Sequence, residues 1–322
     1  MTTVIKDLHL PNEIVIPAEQ VKGTLWGGFA SGVAWLQRLP AMVEQLCQRF
    51  EISDLRPSPE MRMNLVLFGE SAIHGPVVLK VAQPHYEASN EIVSMRILGE
   101  TGHYSRLIDA DDSGSWSLQE RVLPGEMLET FARSGEISDA EAAQITGDLM
   151  QATIAPMPAG VTHPFPDLDR WLKSLWEHAR NPKGIIPAEQ LDLAVRHARH
   201  LVANPGAPML LHGDFHHGNI VQSETGWTII DPKGLIAEKA FEVGPFFYNP
   251  IGVDRRDNLP QLYSDRLDTF SRVLGIDRVR LWRCALVGCV LSDCWSLEDG
   301  PVDHTHFDTV TAALMQLPER HS

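Results

Sequence analysis

A chain of 322 residues, 43% hydrophobic and 21% charged, holds enough apolar material for two cores and has the composition of a globular enzyme. Its formal charge of −15 argues against a nucleic-acid partner, which needs a basic face, and would draw a cationic small molecule towards an acidic cleft; acidity kept for solubility alone explains it equally well. No apolar run reaches membrane-spanning length, and Met1–Asp7 carries charge early without a signal-peptide core, so no membrane partner and a cytoplasmic location are expected.

Near the N-terminus, Lys22-Gly23-Thr24-Leu25-Trp26-Gly27-Gly28 imitates a phosphate loop. It breaks the G-x4-G-K-[ST] pattern and follows no strong strand, so it reads as a turn before a helix. Trp35, Leu36, Leu39, Met42, Val43 and Leu46 recur at helical spacing and predict an amphipathic helix packed on the N-terminal lobe. Asn64–Phe68 and Pro76–Val81 read as strands joined by a turn from Gly69 to Gly75, the second carrying Lys80. After Pro84 the period lengthens, predicting a helix from near Glu87 to Gly99 or Gly102 that carries Glu91, with Glu87 as the alternative acid.

A lysine on a strand, fixed by an acid on the next helix, is how kinase-type sites hold the α- and β-phosphates of ATP. Leu118–Val122 reads as the connector between two lobes, where the backbone around Glu120 and Val122 could meet adenine, and Pro124-Gly125 ends it as a turn. The protein-kinase loop G-x-G-x-x-G is missing; only Gly69 and Gly75 flank Glu70-Ser71-Ala72-Ile73-His74.

Past the connector the pattern is helical. Ser138-Asp139-Ala140-Glu141 has the capping pattern of a helix running to about Ala152. Asp167–Ala179, Pro187–Ala203 and three or so segments after Leu259 continue it. Cys284, Cys289 and Cys294 recur every five residues. Such steps rotate by about 500° on a helix, so neighbouring thiols do not share a face, and buried thiols are expected rather than a metal cluster.

The densest chemistry lies in Leu211-His212-Gly213-Asp214-Phe215-His216-His217-Gly218-Asn219-Ile220, followed by Ile229-Ile230-Asp231-Pro232-Lys233-Gly234. An Asp, an Asn five positions on and a second Asp closing an apolar run form a phosphoryl-transfer signature. One carboxylate orients and deprotonates the attacking hydroxyl; the amide oxygen and the second carboxylate hold Mg²⁺. Glu224-Thr225-Gly226 reads as a hairpin turn that returns Asp231 beside Asn219. His212 and His216 share helical spacing, but H-E-x-x-H lacks its Glu here, and a zinc site is not favoured.

These motifs resemble the aminoglycoside phosphotransferases, and among them the streptomycin 6-kinase and hydroxyurea phosphotransferase group. L-H-G-D-x-H-H-x-N-I and G-W-x-x-I-D-P-x-G-L carry the likeness, which continues through Phe246-Phe247-Tyr248-Asn249-Pro250 and reaches back to Lys80 and Glu91. The resemblance implies an α+β, bilobal, protein-kinase-like fold: a nucleotide-binding lobe over 1–120, with an antiparallel sheet and an N-terminal helical extension, and a mostly helical lobe over 121–322. It implies Asp214 as catalytic base, Asn219 and Asp231 as Mg²⁺ ligands, Lys80 on the ATP phosphates and Glu91 as its partner. The acceptor would be a small-molecule hydroxyl. Downstream acids (Glu238, Glu242, Asp254, Asp257, Asp293, Glu298 and Asp299) would favour a cationic one.

Overall fold

In the computed structural model, which describes residues 6–21, 30–59, 64–82, 86–154, 156–250, 257–299 and 305–317, the chain divides into two units. Unit 1 comprises Met1–Gly99 and Tyr104–Gly125; unit 2 comprises Glu100–His103 and Glu126–Ser322.

Unit 1 opens with a two-stranded antiparallel ribbon, β1 (Leu8–His9) and β2 (Val15–Ile16), a single turn α1 (Ala18–Gln20) and the long helix α2 (Ala30–Phe50). The main sheet is antiparallel and has five strands in the order β3-β4-β5-β7-β6. These are β3 (Ile52–Pro57), β4 (Leu65–Ser71), β5 (Gly75–Val81), β6 (Leu107–Ala110) and β7 (Trp116–Glu120), with helix α3 (Tyr86–Leu98) between β5 and β6.

Strand periodicity sorts the side chains of this sheet onto two faces. Leu65, Leu67, Val77, Leu79, Val81 and Leu118 point to one face and form a single core with Trp35, Leu36, Leu39, Val43 and Leu46 of α2. Each fully buried side chain of this kind contributes about 1.5–3 kcal/mol. The opposite face receives Lys80, paired in register with Ser117 and Val66. The alternation that buries Leu79 and Val81 is thus what turns Lys80 away from the core.

The expected turn from Gly69 to Gly75 is present but shorter, and the one expected at Pro124-Gly125 is strand. Gly69 lies inside β4, where a Cβ would stand 2.6 Å from Ile52 Cγ2, so glycine serves the packing of β3 on β4. The turn itself is Ala72–His74, closed by the Ser71 hydroxyl, which accepts the N–H groups of Ile73 (3.2 Å) and His74 (3.1 Å). Pro124 and Gly125 open strand β8 (Pro124–Met127). The Lys22–Gly28 segment lies outside the described residues.

Unit 2 is mainly helical, as the sequence pattern led us to expect. It contains α4 (Leu128–Ser134), α5 (Asp139–Thr153), α6 (Leu168–Trp171), α7 (Lys173–Arg180) and α8 (Ala188–Ala203). Then come β9 (Met209–Leu211), the hairpin β10 (Ile220–Ser223) and β11 (Gly226–Ile229), and β12 (Leu235–Ala237), which pairs with β9. Helices α9 (Gly244–Phe247), α10 (Leu259–Leu274), α11 (Arg278–Asp299) and α12 (Thr305–Met315) complete it. Helix α5 begins with the expected capping box between Ser138 and Glu141. The single helix expected over Asp167–Ala179 is broken at Leu172 into α6 and α7.

The middle of helix α11 is apolar and buried on every side, with Leu281, Cys284, Ala285, Leu286, Val287, Cys289, Val290 and Cys294 enclosed, which marks it as the central helix of the unit. Its cysteines are free thiols, and burial raises all three above the ordinary thiol range. At Gly288 a Cβ would lie 2.9 Å from the Gly244 Cα, so α9 and α11 meet backbone to backbone. Among the described residues, no helix is long and apolar enough to cross a membrane.

Candidate active site

In unit 1 the polar face of the sheet assembles a cation and its holder. Lys80 Nζ lies 2.9 Å and 2.8 Å from the two carboxylate oxygens of Glu91 on α3, and both side chains are mostly buried. The side chain of Glu87, the alternative acid, lies outside the described residues. Gln119, which the sequence reading passed over, donates to Glu91 Oε1 (3.3 Å) and to Ser117 Oγ (3.1 Å). Two residues apart on β7, Ser117 and Gln119 share the face of Lys80, so strand periodicity was the available signal. Glu120 directs its side chain into an exposed ion pair with Arg106 (3.0 Å), and its N–H donates to the Arg106 carbonyl (2.9 Å). Val122 follows at the end of this segment, half-buried.

In unit 2 the stretch from Leu211 to Gly234 folds into a turn and a hairpin pinned to each other. Gly213 adopts φ +81°, a left-handed conformation that glycine takes without strain. The His212 carbonyl accepts N–H groups from Lys233 (2.8 Å) and Gly234 (3.0 Å). Ile220 pairs with Ile229 in the hairpin, and Ile230 N–H donates to the Asn219 carbonyl (3.0 Å), which returns Asp231 beside Asn219. The Asn219 amide nitrogen donates to the Asp214 carbonyl (2.9 Å).

The histidines of this stretch contact the turn around Asp214 and the core behind it. His212 accepts the Asp214 N–H at Nδ1 (3.1 Å), so its Nε2 carries the proton and donates to the Ile230 carbonyl (2.8 Å). With both nitrogens engaged it is no metal ligand, and burial brings its pKa down to about 4, which keeps it neutral. His216 accepts the Gly218 N–H at Nδ1 (3.0 Å) and sets Nε2 3.8 Å from Asp214 Oδ1. His217 is buried and stacks on Phe246, ring centroids 4.0 Å apart.

Two further residues shape the electrostatics. Burial works against the ionised form of Asp214, but the Lys233 ammonium, 3.0 Å from Oδ2, and the neighbouring His216 outweigh it and hold the carboxyl well below the usual range. Glu242 is buried and accepts the N–H groups of His212 (2.7 Å) and Gly213 (2.9 Å). Burial nevertheless pushes its pKa up to about 8. Glu242 therefore braces the turn and is not a cleft charge. Glu238 is likewise buried, in a two-point contact with Arg280 at 2.6 Å. Asp254 and the Asp299 side chain lie outside the described residues.

The donors present would suit Mg²⁺. The Asn219 amide nitrogen is engaged, which leaves Oδ1 open to a cation, and Asp231 would add a carboxylate; hard cations prefer such oxygens and retain several waters. Next to this loop, a narrow crevice is lined by Trp171, Gly213, Leu235, Tyr248, Leu291 and Trp295. The two indoles meet edge to face, centroids 5.5 Å apart. A Cβ on Gly213 would lie 3.6 Å from the Trp171 ring, so one wall touches the residue before Asp214.

Comparison with known proteins agrees with this architecture. Residues 58–300 match the family described as aminoglycoside/hydroxyurea antibiotic resistance kinase. The chain is 30% identical to streptomycin 6-kinase of Streptomyces glaucescens over 277 residues, 84% of this chain and 86% of that one. It is 29% identical to hydroxyurea phosphotransferase of Kitasatospora aureofaciens over 303 residues, 90% of this chain and 82% of that one. Among solved structures, choline kinase LicA from Streptococcus pneumoniae aligns with a TM-score of 0.62 at 10% identity, covering 87% of this chain and 100% of that one. A thermostable mutant of aminoglycoside phosphotransferase APH(4)-Ia, in ternary complex with ADP and hygromycin B, aligns with a TM-score of 0.55 at 15% identity, covering 84% and 97%. The fold is thus the protein-kinase-like fold of aminoglycoside phosphotransferases and choline kinases, with an N-terminal antiparallel sheet and a helical C-terminal region. With three quarters of its length matched to their family, the chain belongs to the aminoglycoside/hydroxyurea antibiotic resistance kinases, which are small-molecule phosphotransferases.

Proposed function

We propose that this chain transfers the γ-phosphoryl group of ATP, with Mg²⁺, to a hydroxyl of a small molecule, either an aminocyclitol such as streptomycin at its 6-hydroxyl or hydroxyurea. The observation that carries the reading is the joining of Asp214, Asn219 and Asp231 by one turn and one hairpin. The names of the two relatives support the acceptor class. The need for ATP favours the cytoplasm.

In this reading unit 1, roughly residues 1–120, holds the nucleotide. Lys80, aimed by Glu91, grips its phosphates, and the backbone near Glu120 and Val122 meets adenine. Unit 2, which carries Asp214, binds the acceptor. Asp214 orients the acceptor hydroxyl and takes its proton as the phosphoryl group passes in line. Asn219 and Asp231 hold Mg²⁺, which when bound neutralises phosphate charge. Most of the rate then comes from positioning and charge, with little covalent work for the protein.

ADP release measured against streptomycin, hydroxyurea, sugars and amino alcohols tests the proposal. Release that depends on streptomycin or hydroxyurea and vanishes in Asp214→Ala supports it. An Asp214→Asn variant with near-normal turnover would remove Asp214 from its role. Turnover confined to a neutral sugar or an amino alcohol would select the second reading, a kinase for another alcohol, which the fold shared with choline kinase keeps open.

A further inference from the structure

We propose that Lys233 is a catalytic residue, the cation that leaves Asp214 to meet the phosphoryl group in flight. The inference rests on the phosphotransferase reading above and assigns a role to a residue that the reading leaves without one.

The geometry is specific. Lys233 Nζ stands 3.0 Å from Asp214 Oδ2, yet 45% of its side chain is exposed. Its main chain is fixed, because its own N–H and that of Gly234 both donate to the His212 carbonyl. The backbone is thus clamped to the turn that carries Asp214, and only the flexible four-carbon stem can move. The residue also sits two positions after Asp231, so one short turn carries both a proposed metal ligand and this ammonium.

In-line transfer puts the γ-phosphorus next to the acceptor oxygen, which must itself contact Asp214. An ammonium within hydrogen-bonding distance of Asp214 is therefore within reach of the γ-phosphoryl oxygens. While it covers Oδ2, it also occupies an oxygen that the acceptor hydroxyl needs. As charge builds on the equatorial oxygens of the phosphoryl group in the transition state, the ammonium is drawn across and releases Oδ2 to take the proton. The acceptor O–H proton passes to Asp214, the new O–P bond forms, and the bond to the bridging oxygen breaks with its electron pair leaving on ADP. Lys233 keeps its proton throughout and stabilises charge on the equatorial oxygens.

The test compares Lys233→Met and Lys233→Arg with the wild type by three readouts. Lys233→Met is expected to lower kcat about 100- to 1,000-fold, with the acceptor KM and calorimetric binding of Mg·AMP-PNP changed less than about 3-fold, because the contact belongs to the transition state. Binding of Mg·ADP with aluminium fluoride, a planar phosphoryl mimic, should weaken by a similar factor to kcat, and Lys233→Arg should recover part of both. The third readout is slow hydrolysis of ATP by water, which needs no identified acceptor. There Lys233→Met should lower the rate further in an Asp214→Asn background. A double variant equal to Asp214→Asn, or unchanged aluminium fluoride binding, overturns the proposal and leaves Lys233 as an ion-pair partner only. If hydrolysis responds as expected while no screened acceptor is phosphorylated, Lys233 stands and the acceptor assignment falls. A wild type that neither transfers nor hydrolyses overturns both.

Discussion

Glu242 holds Gly213 by its backbone: the carboxylate accepts the Gly213 N–H at 2.9 Å across 29 residues of chain, and its other oxygen takes the His212 N–H at 2.7 Å. The residue before Asp214 is thereby fixed from below while Lys233 and Gly234 fix His212 from the other side. Glu242→Ala would strand two inward-facing donors. At about 1–3 kcal/mol for each unsatisfied group, we expect a loss of about 2–6 kcal/mol in urea unfolding. We also expect kcat to fall while Mg·AMP-PNP binding holds. An unchanged unfolding midpoint would refute the bracing role.

The Lys80–Glu91 contact leads to a finer prediction about Gln119. Its amide reaches both Ser117 and Glu91 and so orients the carboxylate that orients the lysine. A net hydrogen bond contributes about 0.5–1.5 kcal/mol, so Gln119→Ala should raise the KM for ATP about 2- to 10-fold. The acceptor KM should stay put. Steady-state kinetics with each substrate varied in turn checks this, and a rise in acceptor KM alone would contradict it.

The sequence displayed the parts of this architecture that rest on short-range periodicity. Val77, Leu79 and Val81 alternate, so Lys80 could be placed on a strand, and the longer period after Pro84 put Glu91 on a helix. The His212–Asn219 and Ile229–Gly234 segments could be read as a turn and a hairpin because their spacing permits little else. Glu242 and Arg266 were invisible for the opposite reason. Glu242 acts on a turn 29 residues away, and Arg266 meets Asp139 across 127 residues, so no local pattern marks either. Glu242 in particular looked like a cleft acid, because sequence shows charge but not the N–H groups that will surround it. The break at Leu172 was hidden in the same way, since its sequence carries no Gly or Pro to announce it.

Arg266 shows how much a buried cation can organise. Its side chain is fully enclosed, makes a two-point contact with Asp139 (2.9 and 2.6 Å), and donates to the carbonyls of Phe246 (2.7 Å) and Asn249 (3.2 Å). It thereby ties the start of α5 to the end of α9, next to Tyr248 in the crevice wall. Arg266→Met leaves a carboxylate and two carbonyls uncompensated, and breaking such a pair costs about 3–5 kcal/mol. Arg266→Lys should restore little, since one ammonium cannot reproduce a planar fork. Thermal unfolding of both variants checks this; a lysine variant as stable as the wild type would show that charge alone suffices.

His212 makes acid stability a test of the site's construction. Its folded pKa, about 4, lies below the ordinary value of 6.5, because burial penalises the imidazolium more than nearby Asp214 and Asp231 favour it. A histidine depressed in this way contributes stability that is present in full above pH 6.5 and is lost as pH falls towards 4, because the unfolded chain binds the proton first. The contribution amounts to as much as about 3 kcal/mol. Glu242 runs the other way: its raised pKa makes ionisation unfavourable in the fold, so its contribution declines as pH rises from 4.5 to about 8. The difference between wild type and His212→Asn isolates the histidine. At pH 7.5 the variant should be the less stable, having lost the bonds to Asp214 and Ile230. By pH 4.5 the gap should have narrowed by most of that 3 kcal/mol. Urea unfolding at the two pH values measures it, and a gap independent of pH would mean that His212 is not held neutral.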